Sequence, residues 1–93
     1  MALKKTQYLR NVAVTDAYCR LDAVRFDQPD RVWVCVGVYE DSDHAESGDA
    51  PTTTIVKQYT VTEDFSGNKG YVTMTRIYNR VKAEDEFDGA EDV

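Results

Sequence analysis

The 11 acidic and 11 basic residues of positions 1–83 cancel, so the formal charge of −6 on this chain of 93 residues belongs entirely to the six acids of positions 84–93. That length supports one small domain, which buries only about 60–65% of its unfolded surface, so assembly with a partner is a natural supplement. Scattered bases and a pI near 4.6 exclude a nucleic-acid surface, and no apolar run is long enough for a membrane span or a signal peptide, which makes synthesis in the cytoplasm the expectation.

Residues 12–26 favour strand. Their inward set is Ala17, Cys19 and Leu21, then Val24 and Phe26, and this change of parity near Asp22 or Ala23 predicts a bulge or bend in one long strand. Gln28-Pro29-Asp30 has turn chemistry and predicts a hairpin. The next strand, residues 31–39, is apolar on both sides: Val32, Val34, Val36 and Val38 on one face, Trp33, Cys35 and Tyr39 on the other. Both faces then require cover, one from a helix and the other from chain segments or a second subunit, with Trp33 and Tyr39 as candidate contact residues.

Residues 40–51 are acidic and turn-rich and predict a flexible surface loop. A half-buried strand follows at 53–62, with Ile55, Tyr59 and Val61 on one face, and a turn at 63–70. Met74, Ile77, Tyr78 and Val81 fall at i, i+3, i+4 and i+7, which predicts a helix over 71–83 capped by Ser66 or Asn68, although Tyr71 to Thr75 also favour strand. The fold class expected is α+β: a small antiparallel sheet of three to four strands with one C-terminal helix, residues 1–83 forming the domain and residues 84–93 an acidic C-terminal arm.

No pattern specifies a reaction. A hairpin pairing Phe26 with Val32 sets Cys35 opposite Ala23 and Cys19 opposite Tyr39, about four ladder positions apart, too far for a disulfide at ~3.3 Å per residue. His44 among Asp41, Asp43, Glu46 and Asp49 fails the spacing of a calcium loop, so no metal is expected. Ser42, Ser47 and Ser66 have one histidine among them and nothing to fix it as a base. The glycines at 67 and 70 lack the Lys-Ser/Thr of a phosphate loop. No catalytic residue and no cofactor is expected. The acidic end contains Phe87 before Asp88-Gly89-Ala90, then Asp92 and Val93, and reads as an arm that sets Phe87 in a neighbour's pocket.

The order Val14-Thr15-Asp16-Ala17-Tyr18-Cys19-Arg20, then Val38-Tyr39-Glu40-Asp41, then Phe87-Asp88-Gly89-Ala90-Glu91-Asp92-Val93 resembles a family of small tailed-bacteriophage proteins. In that family a D-A-Y-x-R strand opens the domain and E-F-x-G-A-x-D closes it. Asp16, Tyr18 and Arg20 match the opening motif; Phe87, Gly89, Ala90 and Asp92 match the closing one. The acidic stretch 42–51 and the Val93 ending depart from the pattern. The resemblance implies a non-enzymatic virion protein of the tail, baseplate or neck, assembling with itself and other virion proteins in a ring or repeated array. The alternatives are a capsid-surface decoration protein and a small acidic regulator that binds a host protein.

Overall fold

The computed structural model describes residues 2–9, 12–27, 30–65 and 72–93. Strands β1 (Ala2–Lys4), β2 (Gln7–Leu9), β3 (Val12–Val14), β4 (Tyr18–Phe26) and β5 (Arg31–Tyr39) are followed by helix α1 (Ser42–Glu46), strand β6 (Thr53–Thr60), helices α2 (Val61–Asp64) and α3 (Met74–Lys82), a 3-10 turn at Asp85–Phe87 and strand β7 (Glu91–Asp92). An antiparallel five-stranded sheet runs in the order β6-β5-β4-β1-β7, and β2 and β3 pair as a separate ribbon. The class is α+β as expected. The sheet is wider than the three or four strands predicted, because β1 and β7 are too short to carry a hydrophobic pattern. They exist through pairing of the two ends of the chain, Leu3 opposite Asp92 and Lys4 opposite Glu91, and the Val93 N–H donates to the Ala2 carbonyl at 3.0 Å.

The β4–β5 hairpin sets the register. Phe26 lies opposite Val32 and Cys35 opposite Ala23, and the register slips by one between Leu21 and Ala23, the bulge that the parity change predicts. The slip puts Cys19 opposite Val38 rather than Tyr39. Both cysteines are free thiols, and burial pushes the Cys19 thiol up to about 11. The stretch 12–26 is not one strand, however. It breaks between β3 and β4, where Asp16 takes φ 49° and its N–H donates to the Thr6 hydroxyl at 3.1 Å, a left-handed conformation that Asp tolerates better than most residues.

Val32, Val34, Val36 and Val38 of β5 are 0–2% exposed and form the floor of the core. Leu3, Cys19 and Tyr59 extend that floor, and Ile77 and Val81 of α3, Val61, Phe65 and Phe87 cover it. Helix α3 has the predicted period with a narrower buried stripe, since Met74 is 50% exposed. Its cap is Thr73, whose hydroxyl accepts the Arg76 N–H at 3.2 Å. The expected caps Ser66 and Asn68, the Gln28-Pro29 turn, the glycines at 67 and 70 and Tyr71 lie outside the described residues. The strand predicted to reach Thr62 stops at Thr60, because Asp30 accepts the backbone and hydroxyl of Thr62 at 2.8 and 2.6 Å and turns the chain into α2.

Two expectations about the acidic stretches are corrected. Residues 40–51 contain helix α1, capped by Asp41, whose carboxylate accepts the His44 N–H at 2.9 Å, and anchored by buried Ala45. Residues 84–93 are not an arm on a neighbour; they fold onto their own domain, so the division at residue 83 does not hold. Phe87 is fully buried in the chain's own core, Gly89 turns the backbone at φ +76°, and Ala90 packs against the core. The amide of buried Gln7 donates to the Glu86 carbonyl at 3.2 Å, and Lys5 donates to the Asp88 carbonyl. A phenyl ring gains its full burial energy here without any partner, about 1.5–3 kcal/mol. Replacing it, F87A, is expected to cost about 3–5 kcal/mol of unfolding free energy in a urea titration, and a chain lacking residues 84–93 should fail to fold cooperatively.

Candidate assembly surface

Helix α3 covers one face of β5, and the opposite face carries Trp33, Cys35, Gly37 and Tyr39. Across the ladder stand Ala23 and Arg25 of β4 and Thr54, Val56 and Gln58 of β6. One end of this face is closed by α1. There the Arg20 guanidinium donates to the Asp22 carboxylate at 2.8 Å, to the Tyr39 hydroxyl at 3.1 Å and to the Ala45 carbonyl at 3.1 Å, and it stacks 5.0 Å above the Tyr39 ring. The Tyr39 hydroxyl donates to Asp22 at 2.6 Å, which raises its pKa above the usual tyrosine value. Asp22 reaches these partners by lying across Gly37: a Cβ there would stand 2.0 Å from the Asp22 Oδ2. The bulge and the glycine together make space for the Asp22 carboxylate between Arg20 and Tyr39.

Beyond that network the face is open. Trp33 and Cys35 are half-buried, Val56 is 52% exposed, and Ala23, Arg25, Thr54 and Gln58 are exposed. The Trp33 indole N–H donates to Asp27 at 3.2 Å, which fixes the ring on this patch. What remains is an apolar row, Trp33, Cys35 and Val56, in a polar rim, the composition of a contact surface.

The predicted contact residues divide. Trp33 lies on the open face, but Tyr39 is only 3% exposed and belongs to the Arg20 network, and Phe87 is interior. Asp88, Gly89, Asp92 and Val93 are exposed. Lys82 donates to Asp92 at 2.6 Å, and the Tyr78 hydroxyl is shared between Asp92 and the Ala2 carbonyl. These donors, Lys82 first, hold the Asp92 carboxyl below the usual range. Asp16 and Tyr18 of the opening motif and Val93 line one open depression of about 420 Å³ with Lys4, Asp41 and Glu46. The two ends of the motif pattern therefore meet on one side of the molecule.

Pattern reasoning misses Asp22, Gly37, Lys57 and Arg80. A glycine inside an apolar strand is the one available signal, because it marks close approach of another group. Arg80 of α3 donates to Asp64 at 2.9 Å and to Glu84 at 3.1 Å and stacks 4.7 Å from Tyr59, while Lys57 pairs with Glu86. That pairing, more than any other contact, holds the Glu86 carboxyl below its usual range.

No family model, no curated protein and no solved structure matches the chain. Among the described residues no helix is long and apolar enough to cross a membrane, and no group of three or more His, Cys, Asp or Glu side chains is arranged to hold a metal. The ring nitrogens of His44 face Asp41 at 2.7 Å and Glu40 at 3.5 Å. The Ser47 hydroxyl donates to the His44 carbonyl at 3.1 Å rather than to its ring.

Two measurements probe this geometry. G37A drives a methyl into Asp22 and is expected to cost about 1–3 kcal/mol by displacing the carboxylate from its donors. In a D22A background the same change should cost less, a coupling that a double-mutant cycle reads directly, and the remainder comes from the Tyr39 ring 2.8 Å from the new methyl. The hydrogen bond that the protonated His44 ring donates to the Asp41 carboxylate raises the pKa of His44 above its ordinary value, so the interaction is fully present below that ordinary value and is lost as pH rises through the folded one. An NMR titration should find His44 titrating above about 6.5 and D41N returning it there.

Proposed function

We propose that this chain is a non-enzymatic structural protein of a tailed-bacteriophage virion. It is present in repeated copies in the tail, baseplate or neck and makes its contacts through the sheet face opposite α3. The observation that carries this reading is the double-sided apolarity of β5 with cover on one side: Val32 to Val38 lie under the helix, while Trp33 and Cys35 stay half-buried beside exposed Val56. A domain this small gains much of its stability from such a face when a neighbour covers it. The sequence resemblance supplies the viral context and the expectation of many copies, and weak contacts repeated around a ring combine through high effective concentration. A regulator that displays its acids to a host protein fits less well, because Glu84, Glu86 and Asp92 are engaged by Arg80, Lys57 and Lys82.

Quantitative mass spectrometry of purified particles tests the reading. Multiples of three or six copies are expected, and absence of the chain from mature particles overturns it. Alkylation supplies the surface: in the isolated chain Cys35 should label and buried Cys19 should not, whereas in particles Cys35 should be protected. Equal labelling of Cys35 in both states places the contact elsewhere.

A further inference from the structure

The two outer strands of the sheet are built in opposite ways. β7 is two residues long, and both are acids. β6 runs eight residues, Thr53–Thr60, with no acid and no proline. Its one charge, Lys57, is engaged by Glu84 and Glu86. Among the described residues no strand pairs with the outer side of β6. An edge of this kind is a template for another strand, and chains that avoid edge pairing blunt it with charge, proline or brevity. β7 is blunted and β6 is not. Val56, in the middle of β6, also carries the apolar row of Trp33 and Cys35 out to this edge at 52% exposure.

We infer that β6 pairs antiparallel with β6 of a second copy about a two-fold axis at Val56, joining two five-stranded sheets into one continuous sheet. Residues directly opposite in antiparallel strands share a face, so each candidate axis sets one residue against itself. An axis at Lys57 opposes two ammonium groups, which is unfavourable. An axis at Val56 opposes two β-branched side chains, sets Lys57 against Ile55, and spans the strand from Thr53 to Tyr59. Head-to-tail pairing of β6 with β7 gains only two residues and meets both acids. The choice of a like chain as partner rests on the assembly reading above, and an isologous contact of this type closes on itself as a dimer.

Sedimentation equilibrium of the isolated full chain, from micromolar to millimolar, tests the pairing. A concentration-dependent dimer is expected. V56K, at an exposed position that leaves the fold and its circular dichroism unchanged, should weaken that dimer at least tenfold, about 1.4 kcal/mol. E91K, on the opposite edge, should leave it unaltered. A chain monomeric throughout, a dimer indifferent to V56K, or one that W33A weakens as much as V56K does overturns the edge pairing. Because these measurements use the isolated chain, such a failure leaves the copy number in particles, and with it the assembly reading, to be decided separately.

Discussion

The extra residue at Asp22 sets the side-chain parity on which both faces of the sheet depend. Before it, Cys19 and Leu21 face the core; after it, Val24 and Phe26 take the same side, so a strand with irregular spacing lays its apolar residues on one surface. The residue that causes the slip is not left idle. Its carboxylate crosses Gly37 and joins Arg20 to Tyr39, and Arg20 in turn holds the end of α1. The bulge delivers this carboxylate to two donors, with the glycine leaving room, and charge-assisted hydrogen bonds of this kind are stronger than neutral ones.

A second polar assembly does similar work on the other face. Arg80 of α3 bridges Asp64 and Glu84, and Lys57 of β6 meets Glu86, so the helix, the sheet and the segment leading to Phe87 are tied at one point. The apparent separation of a neutral body from an acidic end thus dissolves in three dimensions. Glu84, Glu86 and Asp92 find their bases on β6 and α3, and what looks in one dimension like a charged tail is partly a set of pairs that fix a buried aromatic.

The patterns that survive translation into structure are those with a strict period. β5 is legible because its apolar run is long, the bulge because a period of two makes a one-residue slip visible, and α3 because four apolar residues repeat at helical spacing. β1 and β7 are not legible, since three and two residues hold no period, and their pairing joins positions at opposite ends of the chain. Phe87 misleads for a related reason: its neighbours are acidic, and the ring's destination depends on a turn at Gly89 and on Lys5 and Gln7, which lie some eighty positions earlier. Trp33 lies half-buried on the open face, whereas Tyr39, on the same side of the same strand, is enclosed by α1, a helix too short to recognise within an acidic stretch. The open face itself is legible as an excess of apolar residues over what one helix can cover.

The pairing of Leu3 with Asp92 bears on the order in which the domain forms. β4 and β5 meet across a short turn and need little loop closure, but β1 and β7 enclose nearly the whole chain between them, the largest closure entropy in the molecule. Until residues near 92 have emerged from the ribosome, Leu3 lacks its outer neighbour and the Phe87 site stays empty. The segment from Phe87 to Asp92 therefore serves as a latch, and a nascent chain that stops short of it exposes an apolar floor to solvent.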